Sequence, residues 1–208
     1  MKTLFVSSEI YPFAKSGGLA DVSYALPKAL SKTTDITLIM PLYKSIDRKK
    51  FDIKSSGVSF KITLDSENYK VEYFFTIHNG VKCYFLYSEI LSEREHLYGT
   101  AQSGYEDNDV RFGLFCHAVI RWVEQFSNGF DVLHLNDWQS ALCALLVKDK
   151  NLDLKTVFTI HNLAYQGVFP KNTLSKIDLM LSGESFSSPD CSLLALLIEG
   201  ETSTAFAE

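Results

Sequence analysis

The chain has 208 residues, which suits one large domain or two small ones, and its 46% hydrophobic content supplies material for a real core. The formal net charge is −5, and of the 20 basic residues only Arg48-Lys49-Lys50 cluster, so there is no electrostatic footprint for nucleic acid. No stretch approaches the length of a membrane span, and Ser7-Ser8-Glu9 breaks the apolar run after Met1-Lys2 before a secretory signal can form.

The first element is a strand over residues 3–7, Thr-Leu-Phe-Val-Ser, rich in aromatic and β-branched side chains. A loop with Glu9, Tyr11 and Pro12 leads to Lys15-Ser16-Gly17-Gly18-Leu19-Ala20-Asp21-Val22, and a helix runs from about 18 to 32 with Leu19, Val22, Leu26 and Leu30 on one stripe. Gly17 and Gly18 can adopt positive φ and let a ligand approach the backbone, the first-turn N–H groups favour an anion, and Lys15 would then neutralise a phosphate. The dinucleotide fingerprint G-x-G-x-x-G is absent, and the next strand, 35–40, ends in Pro41 where a ribose-binding carboxylate would stand.

A charged connector, 47–54, precedes β-patterned segments at 58–64, 69–77 and 81–87. The last two flank His78-Asn79-Gly80, and Asn-Gly between β-rich runs signals a hairpin, hence an antiparallel insertion. After a loop at 92–107, Asp107 or Asn108 starts a helix to about 125 with Phe112, Phe115, Val119, Ile120 and Val123 facing a core, which makes Cys116 and His117 packing residues. The four cysteines, Cys83, Cys116, Cys143 and Cys191, form no C-x-x-C pair, so reduced buried thiols in a cytoplasmic protein are expected.

Strand, helix and strand then follow at 132–135, 138–148 and 156–160. Short apolar strands alternating with helices imply an α/β, Rossmann-like parallel sheet carrying the antiparallel hairpin insertion, with a ligand crevice at the strand C-terminal ends. Loops 15–21, 136–138 and 161–167 stand at such ends. Asp137 can cap the helix that starts at Trp138, line the crevice, or both. His161 at a strand tip can donate a hydrogen bond into the cleft or be a satisfied structural histidine. Thr76-Ile77-His78-Asn79 repeats Thr159-Ile160-His161-Asn162, and the first copy, running into Gly80, reads as a turn.

Together, the Lys15–Val22 octapeptide, His134-Leu135-Asn136-Asp137-Trp138-Gln139-Ser140-Ala141-Leu142 and Thr159-Ile160-His161-Asn162-Leu163-Ala164-Tyr165-Gln166-Gly167 resemble bacterial glycogen synthases and plant starch synthases. Ser7-Ser8-Glu9 with Tyr11-Pro12, Leu97-Tyr98-Gly99, and Asp107-Asn108 before Arg111-Phe112 support the likeness, which runs to about Asp178. It implies the N-terminal, acceptor-side half of a GT-B glycosyltransferase that moves glucose from ADP-glucose to the non-reducing 4-hydroxyl of an α-1,4-glucan with retention, without metal or cofactor, without nucleic acid or membrane as partner. On this likeness His161 and Asp137 are catalytic, with Lys15, Gly17 and Gly18 on the donor's glucosyl diphosphate, Asp21 lining the cleft, and Tyr98 and Asn162 among the substrate contacts.

Two departures stand out. The aspartate motif of the family commonly reads His-Asp-Trp-His, whereas amides flank Asp137-Trp138 here as Asn136 and Gln139. The chain also stops at Glu208, so residues 1–181 are expected to form the acceptor-side domain and 182–208 an atypical tail, with a short apolar helix over 193–198 and a frayed end. A C-terminal donor-binding domain is then missing or acts in trans, and a truncated or frameshifted gene product with little activity alone is expected. The alternatives are a non-catalytic glucan-binding module using Tyr98, Tyr105 and Tyr165, an inactive fragment, or an unrelated nucleotide-dependent Rossmann enzyme.

Overall fold

A computed structural model describes residues 1–126, 129–179 and 190–193. Its elements, in chain order, are β1 (Lys2–Val6), α1 (Gly18–Leu30), β2 (Asp35–Pro41), β3 (Lys54–Leu64), β4 (Glu67–His78), β5 (Val81–Tyr87), α2 (Glu89–Ser92), α3 (Asn108–Gln125), β6 (Val132–Asn136), α4 (Trp138–Asp149), β7 (Lys155–Thr159), β8 (Val168–Pro170), α5 (Thr173–Lys176) and β9 (Asp190–Ser192). Seven strands form one sheet in the order β3-β4-β5-β2-β1-β6-β7, and β8 pairs with β9. The run from β5 to β7 is parallel throughout. The inserted strands β3 and β4 are antiparallel, so the expected α/β, Rossmann-like sheet with a hairpin insertion is what forms.

The sheet carries apolar side chains on both faces because helices or long loops cover each one. Alternation along β1 shows the division: Leu4 and Val6 join α3 and α4 in one core, while Phe5 joins Leu38, Met40 and Phe85 in another. The Asn-Gly hairpin forms as read, with φ of 51° at Asn79 and 80° at Gly80 between β4 and β5. Asp65 and Ser66, at φ 46° and 66°, turn β3 into β4 in the same way without a glycine. In α3 the expected core residues are buried, Cys116 Sγ donates to the Gln139 carbonyl at 3.3 Å, and His117 Nε2 lies 2.8 Å from the Ile177 carbonyl oxygen.

Helix α1 departs from its expected stripe. Its buried residues are Leu19, Ala20, Ser23 and Pro27, Val22 is exposed, and the helix stops at Leu30. The small face turns inward because it lies against the loop after β1: Ser23 Oγ is 2.9 Å from Ser7 Oγ, and the Tyr11 N–H donates to the Ala20 carbonyl at 3.1 Å. Pro27, buried on the same face inside the helix, gives no N–H to the preceding turn.

Arg111 in α3 is fully buried, and it organises the segment that leads to Tyr98. Its guanidinium donates to the carbonyls of Ile90, Leu91 and Leu97 and to Asn108 Oδ1, and it lies 5.0 Å from the Tyr105 ring centre. Asp107 stands at the N-cap of α3 without capping it; its carboxylate pairs instead with Arg94 at 2.5 Å. The readings made for 182–208 fall outside the described residues except at 190–193, where β9 lies antiparallel to β8. Among the described residues no helix is long and apolar enough to cross a membrane.

Candidate functional site

In the parallel part of the sheet, β2 lies on one side of β1 and β6 on the other, so the chain reverses direction between β1 and β6. Ligands of open α/β sheets bind outside the strand C-termini at such a point. The loops after β1, β6 and β7 therefore meet on three neighbouring strand ends, and they carry Lys15 to Asp21, Asp137, and His161 with Asn162.

The loop after β1 is built around Glu9, which is only 3% exposed. Its carboxylate accepts the N–H groups of Ser16 and of Gly17, the latter at 3.1 Å, the Ser16 hydroxyl at 2.7 Å and the Tyr98 hydroxyl at 2.8 Å. Glu9 is thus an internal anion at the start of α1, where unpaired N–H groups and the helix dipole stabilise negative charge. The Gly17 donor expected for a phosphate is already engaged. Lys15 Nζ contacts both oxygens of Asp21, at 2.7 and 2.6 Å, and both side chains of this pair are about half exposed. Gly17 has φ −147°, an extended conformation open to any residue, and Gly18 is not among the positive-φ positions, so neither glycine uses the positive φ available to it. A Cβ added to either glycine meets nothing within 4 Å, which leaves the backbone open to close approach from outside.

After β6, Asp137 occupies the N-cap position of α4 but its side chain makes no capping bond. Its backbone, at φ 57° and ψ 174°, lies in a region that is nearly the preserve of glycine. This turns the carboxylate toward β7, where Oδ1 accepts the His161 N–H at 2.7 Å. The strand end stays closed without the cap because Ser140 Oγ takes the Asn136 N–H at 2.7 Å. Burial holds the Asp137 carboxyl above the usual range, against the lowering effect of the His161 and Asn162 N–H groups.

After β7, the His161 ring lies with Nε2 3.0 Å from Asn136 Oδ1, while Asn162 is exposed and its Oδ1 accepts the Ala164 N–H at 2.9 Å. Beneath them His134 packs edge-on to Phe5 and lies 2.9 Å from Thr159 Oγ1, and burial pushes its imidazole down to about 4. Asp137 and His161 are therefore brought together directly. Lys15 and Asp21 form their own pair, and the Tyr98 hydroxyl is turned to Ser8 and Glu9 with its ring against Phe112. Of the three rings considered for glucan stacking, Tyr98 and Tyr105 are packed in this way, and Tyr165 is 69% exposed beside Leu163 at 64%. A separate concavity of about 240 Å³, lined by Asp65, Tyr69, Asp109 and Lys176 among others, includes none of these residues.

Sequence reasoning passed over two residues of the site. Glu9 was visible only as part of a supporting motif, and the signal in it was a carboxylate three residues past the end of an apolar strand core, Leu4-Phe5-Val6. Asn136 was noted as a departure, and its placement between β1 and β7 could not be read from its neighbours in sequence.

The family model described as the starch synthase catalytic domain matches residues 2–194, nearly the whole chain. The chain belongs to the starch synthase catalytic domain family. The match runs on into the stretch that sequence reading set apart as a tail. Among curated family members, a glycogen synthase of Aquifex aeolicus is 44% identical over 181 residues, covering 86% of this chain and 38% of its own. One from Geotalea daltonii is 40% identical over 198 residues, covering 92% and 40%. The chain spans about two fifths of the length of these relatives. Among solved structures of the family, the catalytic domain of starch synthase IV from Arabidopsis thaliana bound to ADP and acarbose superposes with a TM-score of 0.74 at 27% identity, over 86% of this chain and 37% of that one.

Proposed function

We propose that this chain supplies the acceptor-side half of a retaining glucosyltransferase that moves glucose from ADP-glucose to the non-reducing 4-hydroxyl of an α-1,4-glucan such as glycogen, in the cytoplasm. The observation that carries the reading is the meeting of Asp137 and His161 on adjacent strand ends at the sheet's reversal point, in a chain of the starch synthase family. The relative solved with ADP and acarbose supports a nucleotide diphosphate and a glucan-like chain as the ligand classes. In this reading His161 and Asp137 are catalytic and face the reacting sugar. Lys15, Gly17 and Gly18 border the diphosphate, Asp21 lines the cleft, and Asn162 contacts substrate.

A glucosyl transition state has oxocarbenium character and its leaving diphosphate gains negative charge, so a fixed carboxylate near the sugar and a cation with open glycine backbone near the phosphate suit it. Lys15 would exchange part of its contact with Asp21 for the phosphate, while Glu9 keeps the loop in place. Tyr98 supports that loop through Glu9. Residues 1–181 form the bulk of the acceptor-side domain in this proposal, and the donor-binding half corresponds to the part of the relatives that this chain does not span.

Incorporation of label from ADP-glucose into glycogen tests the proposal, measured for the chain alone and with a separately expressed C-terminal half from a family member. Transfer only with both halves is the expected result, since a cleft open on one side neither orients the reactants nor excludes water. Transfer by the chain alone would show that the diphosphate site is complete within 208 residues. No transfer in either arm, with both proteins folded, would overturn the proposal in favour of a glucan-binding module or an inactive fragment.

A further inference from the structure

We propose that Asn136 is a positioning residue that holds the His161 imidazole as its Nε2–H tautomer, so that the nitrogen left to meet a ligand, Nδ1, is a hydrogen-bond acceptor. Asn136 is fully buried at the end of β6, and its amide nitrogen lies 3.0 Å from the Val6 carbonyl oxygen at the end of β1 and 3.3 Å from that of His134. Turning the amide over would set its oxygen against two carbonyl oxygens, so the orientation is dictated by the strand ends. The oxygen Oδ1 therefore faces His161 Nε2 at 3.0 Å, and an amide oxygen can only accept. Nε2 must carry a proton. A neutral imidazole has one N–H, so its Nδ1 then presents a lone pair, and Nδ1 has no partner among the described residues.

The rest of His161 is held just as closely. Its backbone N–H is taken by Asp137 Oδ1 at 2.7 Å, so adjacent residues of one strand end grip both the main chain and the ring. Asn136 is itself clamped by Ser140, whose hydroxyl bonds its N–H at 2.7 Å and its carbonyl oxygen at 2.9 Å. Nearby His134, which interacts electrostatically with His161, carries no positive charge at neutral pH because burial holds its imidazole down to about 4.

The donor that sequence reading expected His161 to extend into the cleft is thus directed inward, to Asn136. The ligand group opposite Nδ1 has to be a donor, and a sugar hydroxyl meets that requirement; this last step rests on the function proposed above. Tautomer assignment does not, because it is read without any ligand.

The experiment is a two-bond ¹H–¹⁵N correlation spectrum of the ¹⁵N-histidine-labelled chain at about pH 8, above the ordinary imidazole range. His161→Gln identifies the signals of that ring. The wild-type chain is expected to show a protonated Nε2 and an unprotonated Nδ1. In Asn136→Ala the ratio of the two tautomers should fall by about fivefold, the weight of one ordinary hydrogen bond. A wild-type ring protonated at Nδ1 would overturn the proposal, and so would a ratio unchanged in a folded Asn136→Ala protein. The wild-type spectrum decides if that variant does not fold. Failure of glucosyl transfer in the complementation assay would leave the tautomer result standing, so the two can fail separately.

Discussion

Glu9 does two jobs with one carboxylate: it fills the anion-favouring start of α1, and it ties the 15–18 loop to Tyr98. Glu9→Gln replaces one acceptor oxygen with an amide that faces donors. We expect the unfolding free energy in urea to fall by about 2 kcal/mol, the scale of a lost charge-assisted hydrogen bond. An unchanged urea midpoint would remove Glu9 from this role. His134 makes a second prediction at this scale. Its folded imidazole is lowered to about 4 from an ordinary 6.5, so the unfolded chain binds the proton first. Stability is fully present above about 6.5 and is lost as the pH falls toward about 4, by up to about 3 kcal/mol from this group. Urea unfolding of the wild-type chain and of His134→Gln between pH 7 and pH 4.5 checks it; the difference between them should shrink on acidification.

Glycine positions separate backbone conformation from packing among the turns. Gly80 in the β4–β5 hairpin has φ 80° and open space where a Cβ would stand. Gly80→Ala should therefore lose about 1 kcal/mol through backbone strain alone. Gly167, at φ 62°, has the Trp138 ring 2.7 Å from the position of that Cβ. Gly167→Ala adds overpacking to strain and should lose about 2–4 kcal/mol. It presses the loop after β7 against the first residue of α4, beside Asp137. Equal losses in the two variants, measured by urea unfolding, would show that the loop after β7 does not rest on Trp138 as described.

Across the whole molecule, the thiols report how the two cores close over the sheet. Cys83, Cys116 and Cys143 are buried, and burial pushes the Cys83 thiol up to about 12 and holds the Cys143 thiol well above its usual range. Thiolate is the reactive form, so these three should resist a thiol reagent in the native protein. They should become reactive together on unfolding, with labelling rates that follow the global unfolding free energy. Site-resolved mass spectrometry checks this. Early labelling of Cys116 and Cys143 alone would mean that α3 and α4 open apart from the rest.

Much of the architecture was legible locally. Apolar runs flanked by turns marked four of the five parallel strands, and Asn79-Gly80 marked the hairpin that leads into the fifth, because strand periodicity and turn geometry depend on near neighbours. That fifth strand, β5, was read as part of the insertion and instead pairs parallel with β2 on its other edge. The same logic placed Lys15, Asp137 and His161 after strand ends, and so at one crevice. Tertiary structure decided what those groups touch. That Glu9 takes the Gly17 N–H, that Asp137 faces His161 instead of capping α4, and that Asn136 meets the inward ring nitrogen of His161 all depend on which strands become neighbours. Asn136 meets Val6 across 130 residues of sequence and His161 across 25, distances over which composition and periodicity carry no information about hydrogen-bond partners.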